Sequence, residues 1–198
     1  MELYLIRHGE TLWNAENRLQ GTVDIDLNEK GRLKAIELGN QLDCVDFERI
    51  YSSPLIRAYE TACLVRGRKN LHIQRDERLR EISFGEMEGH LYTEWIDEKC
   101  PFKYFFTNPE LYTPPAKGES LESLCERTKA FVIDELEPLY NPSNPEQKIM
   151  VIAHGALNKG IMCYLENNDK AHFWGDGLQQ NCQATIFSFD GKIWTKKN

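Results

Sequence analysis

Short apolar runs alternate along this chain with longer stretches of helical periodicity, and that alternation predicts an α/β protein built on a largely parallel sheet. Strands are expected at residues 2–6, 48–52, 71–74 and 148–153, the last being the strongest apolar run. A helix is expected over 29–42, with Asn28 as its cap and Leu33, Ile36, Leu38 and Leu42 on its apolar side. Ser53-Pro54 reads as an N-cap with proline in the first turn, opening a helix to about residue 66. Over 120–136, Leu121, Leu124, Thr128, Phe131 and Val132 recur at helical spacing, and a further helix runs from Gly155 to about Leu165. Segments 183–189 and 192–195, joined through Asp190-Gly191, predict a closing β-hairpin. Residues 75–89 read as irregular. Between 100 and 118, Pro101, Pro109, Pro114 and Pro115 fall among many aromatics, which marks a lid-like insertion spanning 90–118. The expected architecture is one domain over residues 1–198, a three-layer α/β sandwich with helices flanking a mostly parallel central sheet.

The 198 residues suffice to bury one core. A formal net charge of −7 argues against a nucleic-acid or anionic-membrane partner, because both need a broad basic face. The amino terminus lacks a basic start followed by a long apolar stretch, so a cytoplasmic location is expected. The six cysteines show no paired or zinc-ligand spacing and read as structural thiols. The oligomeric state stays open, a homodimer among the options.

Any anionic ligand of this acidic chain must be held by a local cluster of cations. In open parallel sheets ligands bind beyond the carboxyl ends of the strands. Three apolar runs end in residues suited to phosphate: Arg7-His8-Gly9, Ser52-Ser53-Pro54 with Arg57 one turn later, and His154-Gly155. Two histidines and two arginines are thereby expected on one rim. Arginine offers a planar fork for phosphate oxygens, and glycine admits close backbone approach.

These blocks resemble the histidine phosphatase superfamily, also called the phosphoglycerate mutase-like family. The resemblance covers nearly the whole chain. It rests on 5–11 (Leu-Ile-Arg-His-Gly-Glu-Thr) with Asn14, on 20–27 with Lys30-Gly31, on 52–58 with Glu60-Thr61-Ala62, on 79–85 with Glu88-Gly89, and on Ala153-His154-Gly155. It implies that His8 is a nucleophile that becomes phosphorylated. Arg7, Asn14, Arg57 and a charged His154 would surround the phosphoryl oxygens, and Glu81 would handle protons. Gln20, Gly21, Thr22 and Gly155 join the implied substrate-binding set. The physical reading agrees, since a neutral imidazole attacks phosphorus readily when its other nitrogen is held by an acceptor. Neither a metal nor another cofactor is expected, and the implied partner is a small phosphorylated metabolite.

Other readings compete. Zinc on His8 and His154 lacks a third ligand and faces two arginines. Glu10, Glu86 and Glu88 are alternative carboxylates to Glu81. Arg32, Arg68 and Arg127 read as solvated surface charges, His72 and His90 as structural or solvent-facing, and His172 as open. The insertion carries no Arg-Arg pair and the acid block has Phe84, features that look closer to broad-specificity and α-ribazole phosphatases than to glycolytic mutases. Metal-independent phosphomonoester hydrolysis is therefore expected. A mutase that returns the phosphoryl group to another hydroxyl is the alternative, and a non-catalytic phospho-ligand-binding relative comes third.

Overall fold

The computed structural model describes residues 1–95, 97, 100 and 102–197. Six strands form one sheet: β1 (Glu2–Arg7), β2 (Arg49–Ser52), β3 (Ile73–Arg75), β4 (Lys148–Ala153), β5 (Ala184–Phe189) and β6 (Trp194–Lys196). Their order across the sheet is β3-β2-β4-β1-β5-β6. The first four of these pair in parallel, whereas β1–β5 and β5–β6 are antiparallel. Helices are α1 (Leu12–Ala15), α2 (Glu29–Gln41), α3 (Ile56–Arg66), α4 (Tyr92–Trp95), α5 (Tyr104–Thr107), α6 (Leu121–Phe131) and α7 (Gly155–Leu165). No helix among the described residues is long and apolar enough to cross a membrane.

Successive strand residues point to opposite faces, and two cores result. Leu3, Leu5, Tyr51, Ile149 and Val151 meet α6, α7 and the insertion on one face. Tyr4, Ile6, Ile50, Met150 and Ile152 meet α2 and α3 on the other. Covered on both faces, β4 is buried from Ile149 to Ala153, while β5 alternates between buried and half-buried positions. This is the three-layer α/β sandwich the sequence predicts.

Three local expectations need correction. Leu33 and Ile36 on α2 are exposed, at 61% and 44%, and the buried face is Gly31, Ala35 and Leu38. Ser53-Pro54 does not start a helix: α3 begins at Ile56, and Leu55 at its N-cap makes no side-chain cap bond. The 120–136 helix ends its α geometry at Phe131, and a π-helical turn continues from Val132 to Leu136. In the insertion, α4, α5 and a turn at Pro109–Leu111 carry Trp95, Phe105 and Tyr112 into the core beside Phe84. Pro101 lies outside the described residues.

The connection from β1 leads toward β2, and that from β4 leads through α7 toward β5 on the other side. The crevice between the adjacent strands β1 and β4 is therefore the sheet's switch point. Register aligns the ends, with Arg7 opposite Ala153 and Ser52 opposite Ile152.

Candidate active site

The chain leaves β1 at His8, whose amide donates to the Ala153 carbonyl at 3.0 Å. The next amide, that of Gly9, donates to Thr61 Oγ1 on α3 at 2.9 Å, which fixes the turn. The His8 ring is buried, with Nδ1 2.7 Å from the Gly9 carbonyl oxygen. A carbonyl only accepts, so Nδ1 carries the proton and Nε2 keeps its lone pair. Arg57 Nε donates toward that lone pair at 3.3 Å. Burial first, then the charges of Arg57 and Arg7, hold the His8 imidazolium well below its ordinary range, against a smaller upward pull from the Gly9 carbonyl. The ring is neutral, with its Nε2 lone pair turned toward Arg57.

Arg57 is fully buried, and burial lowers its guanidinium to about 10, still charged at neutral pH. Its Nη1 and Nη2 donate to the carbonyls of Val23 (2.8 Å) and Gly21 (2.7 Å). Gly21 has φ +53°, and a Cβ there would lie 2.1 Å from Glu88 Oε1, so glycine is required. Glu88 explains that approach: it accepts from the Thr22 amide and hydroxyl, the Val23 amide and the Phe84 amide. Thr22, implied as substrate-binding, is thereby turned to Glu88 and does not line the cavity. Arg7 donates from Nη1 to the Gln179 carbonyl at 2.6 Å, and its Nε is buried without a partner. Such an orphaned donor suits an anionic oxygen.

Glu81 sits at the amino end of α7. Its Oε1 accepts from the amides of Ile82 and Leu157 (each 2.9 Å), and its Oε2 accepts from Ala156 at 3.1 Å. His154, the N-cap residue, gives α7 no side-chain cap, so Glu81 caps it from a distant segment. Among the competing carboxylates, Glu10 is tied to Asn28 and Lys30, Glu86 is exposed and Glu88 braces the 20–23 loop. Only Glu81 of the four lines the cavity.

His154 is fully buried with its ring centroid 5.1 Å from that of His8. Its Nε2 lies 2.7 Å from Ser53 Oγ, and its Nδ1 is buried without a partner. Burial, reinforced by Arg57, His8, Arg127 and Arg7, keeps this imidazole well below its ordinary pKa. The charged His154 expected from the sequence is thus corrected to a neutral ring standing behind the cavity wall. Ser53 Oγ meets this histidine and accepts from the Leu55 amide at 3.3 Å rather than from the first turn of α3.

A cavity of about 320 Å³ brings together Arg7, His8, Asn14, Gln20, Gly21, Arg57, Glu81 and Gly155. Its outer wall is apolar, with Phe84, Tyr92, Phe105, Phe106, Trp174 and Leu178. Gln20 Oε1 is buried there without a partner. His72, His90 and His172 are exposed and lie outside the wall. Among the described residues, no group of three or more His, Cys, Asp or Glu side chains is placed to hold a metal ion. Two wall or support residues escape sequence reasoning. Asn181 Nδ2 donates to the His8 carbonyl at 2.9 Å, and Gln179 is bound by Arg7 and by Asn158. A polar Gln-Gln-Asn run before a strand reads only as a loop. Arg127, read as a solvated charge, is instead half-buried and bonded to the segment carrying Glu81.

A doubly wound sheet with buried guanidinium groups and a neutral imidazole at its switch point defines a phosphoryl-transfer class of enzyme. The model of the histidine phosphatase superfamily (branch 1) matches residues 3–198, and the chain belongs to that family. It is 34% identical over 188 residues to phosphoserine phosphatase 1 of Hydrogenobacter thermophilus, covering 94% of this chain and 86% of that one. It is 31% identical to phosphoglycerate mutase-like protein 4 of Arabidopsis thaliana, covering 98% and 82%. Among solved structures, Bacillus stearothermophilus YhfR superposes with a TM-score of 0.88 at 35% identity, covering 98% of this chain and 94% of that one. The chain is a phosphatase-family enzyme of the phosphoric monoester hydrolase type, and mutase-like relatives accompany the phosphatases.

Proposed function

We propose that this protein hydrolyses small phosphomonoesters without a metal ion, passing the phosphoryl group to His8 Nε2 and then to water. The observation that carries the reading is the His8 ring itself, with Nδ1–H fixed on the Gly9 carbonyl and the Nε2 lone pair facing Arg57. In the first step Nε2 forms a bond to phosphorus, the P–O ester bond breaks, and the departing oxygen takes a proton from the Glu81 carboxylic acid. Oε2 is the oxygen for that proton, since it accepts one amide where Oε1 accepts two. In the second step water attacks phosphorus and gives one of its protons to the Glu81 carboxylate, the P–N bond breaks, and neutral His8 and protonated Glu81 return.

Arg7 Nε, buried and unpartnered at the cavity, supplies a donor to the phosphoryl oxygens together with the remaining Arg57 protons and Asn14, and His154 backs His8 from behind the wall. Phosphoryl transfer asks little more of a protein than such positioning and charge stabilisation. The aromatic outer wall is drawn from Phe84, the 90–118 insertion and Trp174, and the insertion acts as the lid over the alcohol portion of the ester. The mutase reading is favoured by one class of relative, the mutase-like protein of Arabidopsis thaliana. Inorganic phosphate release separates the two, because a mutase moves the group without releasing it. Wild type should release phosphate from an aryl and a small alkyl phosphate in the presence of EDTA. His8→Ala should lose activity by about 10³-fold or more. Activity that vanishes with chelator and returns with added metal overturns the proposal.

A further inference from the structure

Arg127 lies on α6 with every N–H of its guanidinium committed. Nη1 donates to the carbonyls of Arg78 (2.6 Å) and Arg80 (2.7 Å). Nη2 donates to the carbonyl of Glu81 (3.3 Å) and to Glu119 Oε2 (2.8 Å), and Nε donates to Glu119 Oε1 (2.7 Å). Glu119 completes the clamp through its own amide, which donates to the Ser83 carbonyl at 2.8 Å. The backbone on both sides of Glu81 is therefore held by one ion pair.

We propose that Arg127 is a positioning residue for proton transfer, setting where Glu81 presents Oε2 to the leaving oxygen. The proposal rests on the reading of Glu81 as the acid. Leu79 and Ile82 are fully buried and keep the segment attached to the core, so losing Arg127 frees the segment's aim rather than its place. Lysine cannot replace it, because an ammonium has no planar fork to span three carbonyls and a carboxylate. A misplaced acid matters most for an alkoxide leaving group and least for a nitrophenolate, which leaves unaided.

The test compares kcat/KM, which reports phosphorylation of His8, for β-glycerophosphate and p-nitrophenyl phosphate. The proteins are wild type, Arg127→Met, Glu119→Gln, Glu81→Gln and the double variant Glu81→Gln/Arg127→Met. Arg127→Met should lose about 10²-fold on the alkyl ester and only a few-fold on the aryl ester. Glu119→Gln should show the same selective loss at smaller size, and it decides the matter if Arg127→Met does not fold. In the Glu81→Gln background, Arg127→Met should add no further alkyl-selective loss. Equal losses on both esters, or additivity in the double variant, overturn the proposal while leaving the acid in place. If Glu81→Gln itself shows no alkyl selectivity, the acid assignment falls and the role of Arg127 falls with it.

Discussion

At the scale of single residues, the site works by leaving selected atoms unsatisfied. Arg7 Nε at the cavity is buried without a partner, while Arg7 Nη1 and all three Arg57 nitrogens are bonded. Leaving a buried donor or acceptor unpaired costs free energy, so a phosphate that pairs it binds with that cost removed. Gly155 borders the same space: a Cβ there would press on Leu178 Cδ1 of the cavity wall at 2.7 Å and come into contact with Arg7 Nε and Glu81 Oε2. His8 does not follow the ordinary imidazole titration. An ordinary imidazole is half protonated near pH 6.5, but burial and two guanidinium groups disfavour the cation here, so the ring stays neutral as pH falls through that value. Long-range 1H–15N spectra of the free enzyme at pH 6 should show His8 with Nδ1 protonated and Nε2 bare. A cationic ring at that pH contradicts the electrostatic account.

At the scale of elements, the two helices that open at the site are capped from elsewhere in the chain. Glu81 caps α7, and Asp24 Oδ1 accepts the Ile56 amide at 2.7 Å, capping α3 where Leu55 offers nothing. Asp24 belongs to the loop whose carbonyls hold Arg57, so cap and arginine fix each other. Asp24→Ala should destabilise the protein by about 1 kcal/mol in urea unfolding and raise KM with a smaller effect on kcat. An unchanged KM would show that Arg57 orders the loop alone. Such distant caps are invisible to a reading of local sequence, which found a plausible cap in Ser53 instead. The face of α2 was half legible for a related reason. Periodicity weighs large side chains, and Leu38 and Leu42 do pack inward, but Leu33 and Ile36 do not, because α2 also docks through small residues. A Cβ on Gly31 would strike the Glu10 carbonyl at 2.1 Å, and one on Gly39 would meet the Leu64 carbonyl at 3.0 Å. On α6 the reading succeeded, because the buried residues there are bulky. It missed Arg127 because a charge beside an apolar stripe looks solvated until its acceptors are known.

At the scale of the molecule, strands and their terminal residues were legible because buried parallel strands write continuous apolar runs. Strand order was not, yet that order is what sets β1 beside β4 and brings His8 and His154 within 5.1 Å. The acidic chain, with its net charge of −7, thus gathers its anion-binding groups at one seam of the sheet. On the proposed function, the whole arrangement serves one chemical end, a covalent phosphoryl intermediate on a defined nitrogen. Rapid acid-free quenching with a 32P-labelled phosphomonoester, alkaline digestion and mass spectrometry locates that intermediate. The account predicts an alkali-stable, acid-labile label on the peptide containing His8, attached at Nε2, and absent from His8→Ala. Label on another residue, label at Nδ1, or turnover with no labelled enzyme at any time would contradict it.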